Sequence, residues 1–181
     1  MRACPRTGFL RRHERRRAHE DQPLPIGHGQ TSSQPSTVAR MLRELDVPAG
    51  AHVLDVGSGS GWTTALLAHL VGPGGDVVGV ELEPELVAWG GANVEATAQP
   101  WARVVAARPG VLGVPEGAPY DRVLVSAEAR ELPAALVAQV GVGGRMVVPV
   151  RGEMLTVDRH GPGPEAVTIR RHGAYRFVPL R

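Results

Sequence analysis

The chain has 181 residues, 43% of them hydrophobic, and a mean hydropathy of −0.09, which fits one globular domain with a sizeable core. All 20 basic residues are arginine, and the lack of lysine excludes a Walker A phosphate loop and Schiff-base chemistry. The formal net charge of +2 is unevenly spread, with seven arginines and two glutamates in residues 1–20 and a mildly acidic remainder.

That balance, with seven aromatic residues in all, argues against a nucleic-acid surface on the body. No apolar run reaches the roughly 18–20 residues of a membrane helix, so no membrane partner is expected. The Arg-rich start lacks an apolar stretch followed by a small-residue cleavage site, so no secretory signal is expected. A single cysteine, Cys4, forms no internal disulfide, and the cytoplasm is the expected compartment. A monomer is the default expectation.

Residues 1–23, which contain "RRHERRRAHE", read as a solvated and loosely held arm, and residues 24–181 as the domain. In "QPSTVARMLREL", Pro35 stands near a helix start, and Val38, Met41, Leu42 and Leu45 follow at helical spacing. "AHVLDVG" reads as a short apolar strand that runs into glycines. "GWTTALLAHLV" reads as a helix closed by the turn Gly72-Pro73-Gly74-Gly75. "DVVGVE" is the second strand, and Pro84 opens a helix through about Ala98 that Gly90-Gly91 should weaken. "RVVAA" and "DRVLVSA" read as strands, "LPAALVAQV" as a helix and "GRMVVPV" as another strand. The tail changes rhythm. "EMLTVDRH", "AVTIRRH" and "AYRFVPL" read as consecutive strands, the first two joined across Gly161-Pro162-Gly163-Pro164. Alternating βα units followed by strands predict an α/β, doubly wound, mostly parallel sheet with antiparallel C-terminal strands.

The segment "VLDVGSGSGWTTALLAHL" places Asp55, Gly57, Gly59 and Gly61 between a strand and a helix. Glycines there bring backbone close to a ligand, and the helix start offers unpaired N–H groups to a carboxylate or phosphate. A bare tight turn is the alternative. A dinucleotide fingerprint needs glycine where Trp62 stands, and a nucleophile elbow needs serine where Gly59 stands. Glu81 ends the second strand in "VVGVELEP". A carboxylate at that edge accepts both hydroxyls of a ribose, which points to a nucleoside ligand.

With these pieces the sequence resembles the class I S-adenosylmethionine-dependent methyltransferases, and among them the protein-L-isoaspartate O-methyltransferases. The likeness spans Leu24 to Leu180 and rests on "PLPIGHGQTSSQPSTVA", "VLDVGSGSGWTTALLA", "VVGVELEPELV", "GVPEGAPYDRVLVSAEARELPAALVAQVGVGGRMVVPV" and "YRFVPL". It implies a Rossmann-like fold, S-adenosyl-L-methionine as cofactor, and methyl transfer to the free carboxylate of isoaspartyl residues in damaged proteins or peptides. A carboxylic acid with a pKa near ~4 is already ionised at neutral pH, so no strong base is needed. No metal site is expected either, since the seven histidines show no HExxH spacing.

The resemblance implies residue roles. Gly57, Ser58, Gly59 and Gly61 would form the turn under the methionine part of the cofactor, with Asp55 orienting its amino group. Glu81 would hold the ribose, with Leu82 beside the adenine. Ser33 matches the family's active-site serine, with Thr31 and Gln34 sharing the polar work, and Ser126 and Ala127 would border the substrate. Helix capping is the alternative for Ser33, N–H capping for Asp55 and a solvated loop for Ser126. In two places the sequence departs from the family. Pro109 stands where the family carries an acid that reads the adenine amino group, leaving backbone carbonyls of Ala107 or Arg108 as substitutes. The segment before "PLPIG" is also short. These departures keep two alternatives in view: a same-fold methyltransferase with another acceptor, and a cofactor-binding interaction module without catalysis.

Overall fold

A computed structural model describes residues 2–163 and 165–181. Pro164, in the turn expected between two tail strands, lies outside the described residues, as does Met1.

A short antiparallel hairpin, β1 (Leu24–Gly27) and β2 (Gln30–Ser32), precedes α1 (Pro35–Leu45). In α1 Pro35 occupies the first turn, where its missing N–H costs nothing. Val38, Met41 and Leu45 form the buried stripe, and Asp46 ends the helix in the left-handed conformation (φ 52°). The main body then alternates β3 (His52–Val56), α2 (Trp62–Val71), β4 (Asp76–Glu81), α3 (Pro84–Glu95), β5 (Ala102–Ala106), β6 (Tyr120–Val125), α4 (Ala134–Val137) and β7 (Val140–Val150). Two further strands, β8 (Glu153–Arg159) and β9 (Val167–Ala174), complete it.

The seven-stranded sheet has the order β5-β4-β3-β6-β7-β8-β9. Its first five members pair in parallel and its last three antiparallel, as the sequence predicts. From β3 the chain builds outward through β4 and β5, then returns to the other side of β3 as β6. That reversal opens a crevice at the carboxyl ends of β3 and β6, the place where open α/β sheets bind ligands. Helix α2 is apolar nearly all round and correspondingly buried, with Ala65, Leu67 and Ala68 fully enclosed. Among the described residues no helix is long and apolar enough to cross a membrane.

Three expectations are corrected. The arm is packed, not loose: Cys4, Phe9 and Leu10 are buried, and the Trp62 indole N–H donates to the Cys4 carbonyl (3.0 Å). Two of its arginines turn inward, Arg6 onto main-chain carbonyls and Arg11 to stack 3.9 Å over the Trp89 ring. Apolar residues interleaved among the charges supply the burial that a solvated arm would lack.

The helix expected over "LPAALVAQV" shrinks to Ala134–Val137. Gln139 and Val140 are drawn away: the Gln139 carbonyl accepts the Tyr120 N–H (2.8 Å), and Val140 begins β7. The strand expected over "AYRFVPL" does not form, because β9 ends at Ala174. Residues 175–181 instead leave the sheet edge and run over the carboxyl end of the sheet. There Val178 accepts from the Glu128 N–H (2.7 Å) and Leu180 donates to the Glu128 carbonyl (2.8 Å).

Candidate functional site

The crevice is a cleft with walls from six separate stretches of chain. The end of β3 supplies Gly57, Ser58 and Gly59, and the end of β4 supplies Glu81 and Leu82. Ala107 follows β5, Ser126 and Ala127 follow β6, the β2 hairpin contributes Thr31 and Ser33, and the tail closes one side.

The glycine turn is held from below and behind. The N–H groups of Gly57 and Ser58 donate to the Val80 carbonyl (2.9 and 3.1 Å), tying the turn to β4. Gly57, Gly59 and Gly61 all have positive φ (78°, 52° and 81°), a conformation costly for other residues. A Cβ on Gly61 would stand 2.6 Å from the Gly90 carbonyl oxygen, and one on Gly90 would meet the Gly59 oxygen at 2.6 Å. Gly61 and Gly90 thus let α3 press against the turn. Asn93, also on α3, donates to the Ser60 carbonyl (2.9 Å). The helix-weakening Gly90 of the sequence reading is a packing contact.

Glu81 is buried and organises the main chain around it. One carboxylate oxygen accepts the Gly59 N–H (2.8 Å), and the other accepts the N–H groups of Leu82 (2.7 Å) and Glu83 (3.0 Å). Carboxylate oxygens have lone pairs beyond these. Leu82 is 44% exposed and lines the cleft, an apolar platform beside that acid.

Asp55 is fully buried beneath the turn and does not line the cleft. One oxygen accepts the hydroxyls of Thr63 and Thr64 (both 2.7 Å), while the other has no partner among the described residues. Burial pushes its pKa up to about 6, opposed by the two threonine hydroxyls. Of its two threonine partners, Thr63 lines the cleft and Thr64 does not.

The structure brings Thr31, Ser33, Gly57, Ser58, Gly59, Glu81, Leu82, Ala107, Ser126 and Ala127 to one cleft. Gly61, Asp55, Arg108 and Gln34 are not on its wall. The Arg108 guanidinium pairs with Glu116 (2.7 Å), and its carbonyl already accepts the Val111 N–H (3.1 Å). Gln34 faces a neighbouring cavity and donates to Asp21 (3.2 Å). Helix α1 is capped by Asp21, whose carboxylate accepts the Ser36 N–H (2.8 Å). Ser33 makes no capping bond, so its half-buried hydroxyl is left to the cleft.

Sequence reasoning also missed Val111 and Leu112 on the base side and the tail residues Val178–Arg181. Arg181 pairs with Glu83 (2.6 Å) and so fastens the tail beside the end of β4. The cleft fits a nucleoside with an amino-acid arm. It has an apolar slot formed by Leu82, Ala107, Val111 and Leu112, and a carboxylate beside it at Glu81. The buried hydroxyls of Ser58 and Ser126 also stand at its wall without partners among the described residues.

A family model described as protein-L-isoaspartate(D-aspartate) O-methyltransferase matches residues 1–181. The chain belongs to that family. It is therefore an S-adenosylmethionine-dependent methyltransferase in fold and cofactor class. A protein-L-isoaspartate O-methyltransferase of Aeropyrum pernix is 45% identical over 99% of this methyltransferase and 70% of its own length. A solved protein-L-isoaspartate O-methyltransferase superposes with a TM-score of 0.87 at 28% identity, over 98% of this chain. This chain spans 58% of that structure's length. A putative protein-L-isoaspartate O-methyltransferase of Plasmodium falciparum, solved with S-adenosyl-L-homocysteine, shares the fold at 23% identity and a TM-score of 0.83 over 99% of this chain and 87% of its own.

Proposed function

We propose that this methyltransferase esterifies the free carboxylate of isoaspartyl residues in damaged proteins or peptides, the first step of their repair. The observation that carries the reading is the position of Ser33. Its hydroxyl stands where the cofactor cleft meets a second cavity that opens beside it, together with Thr31 and Ser126. The hydroxyls of Thr31 and Ser33 at that junction would donate to a carboxylate brought in from the second cavity, with the buried Ser126 hydroxyl behind them.

S-adenosyl-L-methionine, when bound, supplies a methyl group carried on positively charged sulfur. Glu81 and the apolar slot around Leu82 and Ala107 would hold its nucleoside, and the turn at Gly57–Gly59 its amino-acid arm. Asp55 positions that arm through Thr63. The acceptor carboxylate is ionised at neutral pH with a pKa of about 4, so no residue needs to remove a proton. The work of the chain is alignment and exclusion of water. The tail residues Val178–Arg181 close one side of the cleft.

Pro109 leaves the base without a side-chain acceptor, and neither Pro109 nor Arg108 lines the cleft. The base would be held by apolar contact and by main-chain groups near Ala107. Neither a different acceptor nor a non-catalytic module draws support from the named relatives.

The test uses labelled S-adenosylmethionine and a peptide pair that differs only in isoaspartate against aspartate. Selective, base-labile labelling of the isoaspartyl peptide is expected. Equal labelling of both peptides, or cofactor binding without transfer, overturns the reading.

A further inference from the structure

The second cavity extends past Thr31, Ser33 and Ser126 to walls formed by Pro23, Phe177 and Arg176. Arg176 is the one charged residue on its lining. The neighbouring arginines of the tail are committed: Arg170 to Asp158, Arg171 to Glu153 and Arg181 to Glu83. Arg176 is exposed and makes no ion pair or side-chain hydrogen bond among the described residues. The nearest polar neighbours are engaged as well, since Gln34 donates to Asp21 and Asp21 caps α1.

Arg176 lines the second cavity and not the first. It therefore stands on the side away from the cofactor cleft, where a guanidinium does not oppose the positive sulfur. Thr31 and Ser33 line both cavities, so they are the groups placed to meet the reacting carboxylate. A peptide that brings its carboxylate to Ser33 through the second cavity carries its flanking residues past Arg176. A free guanidinium there matches a second anion.

We propose that Arg176 is a specificity-determining residue, selecting acceptor peptides that carry a second carboxylate on a residue flanking the one to be methylated. This rests on the methyltransferase reading above.

Four labelled peptides test it, with isoaspartate or aspartate at the centre and glutamate or glutamine on the flanks. Each is titrated by fluorescence anisotropy into protein saturated with S-adenosylhomocysteine, and steady-state methyl transfer is measured for the isoaspartyl pair. Wild type should bind the glutamate-flanked peptides about three- to fivefold more tightly, the range of a partly exposed ion pair, and added salt should narrow the gap. Arg176→Ala should abolish the preference and Arg176→Glu should reverse it. The effect should fall on KM, with kcat and S-adenosylhomocysteine affinity unchanged. No flank preference in wild type, or one that survives in Arg176→Ala, overturns the inference. If isoaspartyl peptides are methylated without flank preference, this inference alone fails. If the preference follows Arg176 while isoaspartate and aspartate centres behave alike, the charge selection stands and the isoaspartyl reading fails.

Discussion

The Arg6 guanidinium donates to both the hydroxyl (3.1 Å) and the carbonyl (3.0 Å) of Ser32, joining the N-terminal segment to the strand that delivers Thr31 and Ser33. It also donates to the carbonyls of Glu20 (3.1 Å) and Gln22 (2.9 Å), and it is 5% exposed. Arg6→Ala would strand these acceptors in a buried site. A cost of about 1–3 kcal/mol follows, or a melting temperature lower by roughly 3–10 °C in a chain of this size. Methyl transfer should suffer as well, because Ser33 follows the strand that Arg6 holds. Thermal melts and a peptide assay on Arg6→Ala measure both effects, and an unchanged melt would show the arm to be dispensable.

Asp55 gives the unliganded protein a defined pH dependence. Its native pKa of about 6 lies above the ordinary value of 3.8. Between about pH 4 and pH 6 the folded chain keeps a proton that the unfolded chain has lost, so this group's contribution to stability falls as pH rises through that window and stays low above it. Asp55→Asn should flatten that decline. Urea midpoints taken at intervals from pH 4 to pH 8 check it, and identical curves for the two proteins would refute the assignment.

Glu81 serves the turn, since three main-chain N–H groups converge on its carboxylate, and it is the residue proposed to receive the ribose. Glu81→Ala leaves those donors unsatisfied and removes the acceptor for ribose hydroxyls. Calorimetry should show S-adenosylhomocysteine binding weakened by about tenfold or more, with a lower melting temperature. Glu81→Gln keeps one acceptor oxygen and should fall between wild type and alanine.

Ser33 caps no helix, so its removal should spare the fold. Ser33→Ala is expected to lower kcat by about tenfold, the worth of one hydrogen bond to the acceptor. S-adenosylhomocysteine affinity and the melting temperature should stay at wild-type values. Equal losses in kcat and cofactor affinity would place Ser33 in the structural frame instead.

The local signals of the sequence were strong where one segment is enough. The run from Val53 through Val71 announces strand, turn and helix by its apolar pattern and its glycines. Glu81 is legible for the same reason, as an acid at the end of a strand. Contacts that depend on distant partners left no local trace. Asp21 caps a helix from 15 residues away, and Gly61 shares its space with Gly90 on another helix. "AYRFVPL" alternates like a strand, yet β9 already fills the sheet edge before it. The arm misled because charge dominates its composition, whereas three buried apolar side chains decide its position.

The tail residues Val178–Arg181 wall a crevice whose other faces come from residues 26 to 127. Without those four residues the socket stands open on one flank. Whatever loosens the strap from Glu128 should therefore be felt first as leakage of ligand, before any unfolding of the sheet.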